Sequence, residues 1–220
     1  MLEEEKKWMK SIGLSLLAFL VFSVYLYLRR GYYNIYIINK VFGSSAVILA
    51  SLTLLIGPLR KLPLFMRMML YRRQLGLIAF LFAILHVIFS LLQLKRFPFP
   101  TWYLSEWLPI TFGILAVLVW LYMTYISRNS KIKELGVDIW KKRLSLLGHV
   151  GFIAVFFHLV VMKYQGWIKW FQGQIKTSPE LAHPSYPPAS LLVFIIMAGI
   201  LLFRLLHHFQ RKSTQNNGTI

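Results

Sequence analysis

Six histidines and no cysteine set the chemistry open to this 220-residue chain. Three of the histidines, His86, His149 and His158, fall inside long apolar runs. His86 sits near the middle of AFLFAILHVIFSLLQL, residues 79–94. An ionisable side chain in a stretch suited to lipid is costly, so each of the three is a candidate functional residue. A neutral imidazole nitrogen ligates metals, and the ring also carries protons near neutral pH. His183 lies in a proline-rich segment and reads as a surface residue, while His207 and His208 close the last apolar run and reach an interface. Without cysteine, disulfides, thiolate-held iron–sulfur clusters and the covalent attachment of c-type haem are excluded.

The elements that must position these histidines are membrane helices. Hydrophobic residues make up 57% of the chain and gather into long blocks separated by short basic loops. About 20 apolar residues cross a bilayer core of roughly 30 Å. The blocks predict an all-α, six-transmembrane-helix bundle with spans near 11–28, 43–60, 74–94, 107–127, 144–165 and 190–208. Residues 1–10 then form an N-terminal segment, 11–208 the transmembrane domain and 209–220 a tail. GPLRKLP, RFPFPTW and SPELAHPSYPP carry the prolines and suit interfacial loops. Trp102, Trp107, Trp167 and Trp170 flank spans at one end, as an aromatic belt does. The start is acidic before it is basic, and no small-residue cleavage site follows the first run, so that run is expected to stay as an anchor.

Charge orients the bundle. The N-terminal segment, the second and fourth loops and the C-terminal tail hold most of the 25 Lys+Arg. The excess marks the cytoplasmic side, which places both termini there and the protein in the cell (inner or plasma) membrane as a multi-pass chain. The same bias accounts for most of the +18 net charge without nucleic acid. No glycine-rich dinucleotide fingerprint, P-loop or H-E-x-x-H occurs, so no nucleotide module is recognisable.

Depth pairs two of the histidines. The third and fifth spans run in the same direction. At 1.5 Å per residue, His86 and His158 lie about 18 and 21 Å from the inner edge. Two imidazoles at one level on separate helices suit the two axial positions of a six-coordinate b-type haem. The plainer alternative is a polar contact between helices. A zinc or copper site would want further ligands nearby. His149 sits about 8 Å into the fifth span and about 180° around it from His158. It is a candidate second haem ligand, a quinone contact, or a bond to a neighbouring helix.

The run GSSAVILASLTLLIGPLRKLPLFMRMMLYRRQLGLIAFLFAILHVIFS, with LLIGPLR, RRQLGL and a Leu-His pair whose His86 stands 14 residues after Arg72, resembles the ferric-reductase-like transmembrane family. Within it, the likeness is greatest to the haem-binding subunit of the periplasmic methionine sulfoxide reductase system. It continues through LPITFGILAVLVWLYMTYIS and LGVDIWKKRLSLLGHVGFIAVFFH, roughly residues 43–205. The resemblance implies haem b between the third and fifth spans, with His86 and His158 as axial ligands of the outer haem, and electron transfer across the membrane. Many members carry another fifth-span histidine 13 residues before the outer one; Ser145 stands there, and Arg72 stands at the inner position of the third span. That departure favours one haem over two, with His149 as the candidate substitute.

The expected function is a membrane b-type cytochrome, an electron-transfer subunit rather than a complete enzyme. Lys163, just over a turn beyond His158, is the candidate propionate contact. Arg72, Arg73 and Arg143 form a basic inner patch that could hold a flavin phosphate or an acidic partner; the resemblance makes FMN a candidate cofactor. It also implies quinol or a separate flavin reductase as donor. The acceptor would be an extracytoplasmic redox partner, such as a methionine sulfoxide reductase catalytic subunit, or ferric iron. The alternatives are a non-catalytic assembly partner in the bilayer and, ranked lower, a small-molecule transporter, which would call for intramembrane acids and broken helices.

Overall fold

The computed structural model describes residues 2–93 and 106–217. Its helices are α1 (Leu2–Arg30), α2 (Ile35–Ile56), α3 (Pro63–Met68), a 3-10 turn (Met69–Tyr71), α4 (Arg72–Gln93), α5 (Trp107–Ile126), α6 (Asn129–Leu135), α7 (Val137–Phe171) and α8 (Ala189–Asn217). Six of these segments are long and apolar enough to cross a membrane. Among the described residues there is no strand, only an isolated bridge between Ser178 and Leu181. The chain is an all-α, polytopic membrane protein, as its hydropathy pattern predicts. The RFPFPTW loop, with Trp102, lies outside the described residues, as does the side chain of His208.

α2 is the centre of the bundle. Its Gly43, Ser45, Ala46, Ala50 and Ser51 let neighbouring backbones approach closely, which is how membrane helices gain packing where lipid is as apolar as leucine. One buried cluster joins Ile37, Val41 and Leu54 of α2 to Phe22 and Leu26 of α1, Phe152 of α7 and Val193 and Met197 of α8. A second joins Leu49 and Ile56 to Leu75, Ile78 and Ala79 of α4. Leu16, Leu17, Leu20 and Val24 of α1 are exposed and form a lipid-facing side. α5 packs chiefly on α7, and α2 chiefly on α4.

Helix ends differ from the apolar blocks for identifiable reasons. α2 begins at Ile35 rather than near 43, because Asn34 caps it by accepting from the Ile37 N–H at 3.1 Å. α7 has 35 residues, about 52 Å of helix, so its charged ends outrun the apolar middle. The segment before α4 is broken: α3 starts at Pro63 and leaves Leu64, Met66 and Leu70 exposed beside Lys61 and Arg67. That composition suits a short helix at the interface, because α4 alone spans about 33 Å.

At the end of the bundle away from the chain termini, the proline-rich segment is tied down. The His183 N–H donates to Arg29 O at 3.0 Å, Arg29 Nε to Tyr186 O at 2.9 Å and the Tyr25 hydroxyl to Pro187 O at 2.5 Å. Trp167 and Trp170 serve the same purpose, donating to the Ser190 hydroxyl and to Pro184 O, each at 3.0 Å. Trp167 is buried and packs on Phe194, so it is a packing residue rather than a belt residue; Trp107 is exposed at its helix start. Gly31 makes the docking possible. It adopts φ +79°, and a Cβ there would lie 2.9 Å from the Ala182 Cβ. Gly31→Ala is therefore expected to cost about 1–3 kcal/mol, read as a lowered melting temperature in detergent.

Candidate functional site

The two mid-membrane histidines occupy matching environments on separate helix pairs. His86 on α4 is half-buried, and its Nδ1 lies 3.0 Å from Asn39 O on α2. His158 on α7 is also half-buried, with Nδ1 2.7 Å from Pro109 O on α5. A carbonyl only accepts, so Nδ1 carries the proton in both rings and donates. The remaining nitrogen, Nε2, is then unprotonated with its lone pair outward. Neither Nε2 has a hydrogen-bond partner among the described residues.

Each contact depends on a glycine. Gly43 stands four residues after Asn39 on α2, and a Cβ there would meet His86 Nδ1 at 3.0 Å. Gly113 stands four residues after Pro109 on α5, and a Cβ there would meet His158 Nδ1 at the same 3.0 Å. In a helix the side chain at i+4 stands beside the carbonyl of residue i, so only glycine lets an imidazole approach it. A phenylalanine precedes each glycine. Phe42 stacks on Phe89 at 5.6 Å and Phe112 on Phe157 at 5.4 Å, joining each helix pair by an aromatic contact. Two helix pairs thus present one imidazole each by the same device.

The helices bearing the histidines do not pack closely on one another. α4 lies against α2, α1 and α5, and α7 chiefly against α5, α8 and α2. His158 acts electrostatically on His86, and Lys163 acts on both rings. The two rings are thus within electrostatic reach of each other on helices that are not in close contact. Lys163 is joined there by Lys40, the residue after Asn39, whose Nζ lies 4.0 Å above the Tyr36 ring.

His149 stands in a different place. Its Nδ1 lies 2.5 Å from Ser145 O, and its Nε2 accepts from Arg204 on α8, with Nε at 3.1 Å and Nη2 at 2.5 Å. The lone pair that would bind a metal is engaged by a guanidinium. The basic residues Arg72, Arg73 and Arg143 do not converge as a triplet either. Arg73 donates to the Asn129 side chain at 2.9 Å, Arg143 is exposed, and Arg72 turns toward Gly57 and Arg204.

Sequence reasoning missed Lys40, Arg204 and the two glycines. Arg204 falls near the end of the predicted span 190–208, where a basic residue reads as interfacial. A signal for the glycines was present: Phe-Gly occurs at 42–43 and at 112–113, at nearly equal intervals before His86 and His158. Among the described residues no group of three or more His, Cys, Asp or Glu is placed to hold a metal ion. His86 and His158 each leave one imidazole nitrogen without a hydrogen-bond partner among the described residues. No family model matches the chain, and no characterised protein matches it.

Proposed function

We propose that this protein is a membrane b-type cytochrome subunit whose single haem is held between α4 and α7 by His86 and His158. One observation carries the reading: two imidazoles on helices that do not pack closely together each hold Nδ1–H on a backbone carbonyl and leave Nε2 open, within electrostatic reach of one another. Bound haem b supplies reversible one-electron chemistry.

The chain's own residues supply the rest. Donation to Asn39 O and Pro109 O fixes the tautomer and ring plane and raises the basicity of Nε2, the usual second layer of a histidine metal site. The apolar helices around the rings exclude water and lower the local dielectric, which tunes the potential. Lys40 and Lys163 stand at the same end and are placed to pair with propionate carboxylates. The occupied Nε2 of His149 and the serine at 145 favour one haem over two.

On this reading both termini are cytoplasmic, the haem lies in the outer half of the cell membrane, and electrons pass from quinol or a separate flavin reductase to an extracytoplasmic acceptor. The test uses haem-loaded protein in proteoliposomes enclosing an impermeant ferric chelate. Added menaquinol should reduce the haem within seconds, and the enclosed chelate should follow. Haem that stays oxidised under quinol while dithionite reduces it would exclude the quinol route. Failure with quinol and with a reduced flavin alike would overturn electron transfer as the function.

A further inference from the structure

At the opposite end of the bundle from Lys40 lies a cluster that the haem reading does not use. Arg204 is fixed on two sides, donating through Nε and Nη2 to His149 and through Nη1 to Leu54 O at 3.4 Å. Arg72 opens α4 and has no hydrogen-bond or ion-pair partner among the described residues. The Nη1 atoms of both arginines reach the same point beside Gly57, at 3.8 and 3.9 Å from where a side chain there would begin. Both are half-buried, and the ion pairs of the described chain all lie elsewhere, between exposed neighbours on α1 and α6.

Charge is unbalanced at this point. The carbonyl end of α2 offers about half a negative charge, against two full positive ones. His149, neutral because its Nε2 accepts, adds no acid. Two desolvated guanidinium groups aimed at one open point require an anion. The planar forks match phosphate oxygens bidentately, better than they match a spherical ion. Basic pockets between membrane helices near the surface take anionic lipid headgroups. Leu146, one turn before His149 on the same side of α7, is 66% exposed, so apolar surface for an acyl chain adjoins the charges. A soluble phosphate would leave that surface uncovered.

We infer that Arg72 and Arg204, the latter positioned by His149, form a binding site for the phosphate of an anionic phospholipid headgroup. The site ties the ends of α2, α4, α7 and α8 together through the lipid. It does not depend on the haem reading, and it is tested on protein without haem.

The experiment is native mass spectrometry of the full chain in a non-ionic detergent, titrated in separate arms with phosphatidylglycerol, phosphatidylcholine, inorganic phosphate and flavin mononucleotide. The wild type should bind the first phosphatidylglycerol more tightly than phosphatidylcholine. Arg72→Gln and Arg204→Gln should each weaken that binding about fivefold, the effect of one basic side chain at a lipid surface. Arg73→Gln should leave it unchanged. Arg72→Lys and Arg204→Lys keep the charge but not the fork and should bind between wild type and the glutamine variants, which answers the case in which a glutamine variant does not fold. Equal binding of the two lipids, or a preference untouched by the Arg72 and Arg204 variants, would overturn the site. Binding of inorganic phosphate or flavin mononucleotide as tight as that of phosphatidylglycerol, lost in the same variants, would overturn the lipid as its ligand.

Discussion

His86→Ala and His158→Ala are each expected to take haem from about one per chain to near zero without unfolding the protein. The iron needs both axial nitrogens to remain six-coordinate and low-spin. Asn39 O and Pro109 O lie within helices and keep their backbone partners when the imidazole is removed, so truncation strands no buried acceptor. A residual five-coordinate haem in either variant would show a high-spin spectrum, a sign that one ligand was lost and the other kept. His183→Ala is the control, since that ring stacks on Tyr186 in the proline-rich segment. Quantitative haem assay and absorption spectra of the purified variants decide it. Full haem content with an unchanged low-spin spectrum in either alanine variant would remove that residue from the iron.

Gly43→Ala and Gly113→Ala should weaken haem binding about 10–100-fold, the usual cost of disturbing a histidine's second layer. The added methyl would stand 3.0 Å from Nδ1, so the imidazole must give by a few tenths of an ångström, which disturbs its bond to the carbonyl. The size of the stability change separates this from general damage. In a helix interior alanine is favoured over glycine by about 1 kcal/mol, which offsets the cost of crowding the imidazole, so the haem-free variants should melt close to wild type. Gly76→Ala and Gly199→Ala, where nothing lies within 4 Å, should gain stability and bind haem normally. Titration of haem into the apoproteins, with melting curves alongside, checks both halves. Normal affinity in Gly43→Ala and Gly113→Ala would show that the carbonyl contacts do not matter to the iron.

Much of the architecture was legible because lipid imposes simple rules. Runs long enough to cross a bilayer, closed by Pro and basic residues, gave six helices in the right order. The boundaries were less legible where caps and packing decide them, as at Asn34, or where a helix continues past the hydrocarbon, as α7 does to Phe171. The proposed pairing of His86 with His158 rests on helical rise, which sequence supplies. It does not supply what supports those rings, because a backbone carbonyl has no sequence signature and a glycine's meaning depends on what approaches it. Arg204 shows the same limit in charge: at the end of a span it read as topology, and only the fold turns it onto His149. Lys40 read as a loop lysine until α2 was found to begin at Ile35.

The measurement that bears most directly on this account is a reduced-minus-oxidised spectrum of the purified protein, expressed with haem supply, beside a quantitative haem assay. The account predicts a low-spin b-type spectrum at one haem per chain. Well-folded protein without haem would contradict it and leave His86 and His158 as interhelical contacts; two haems per chain would contradict the occupied state of His149.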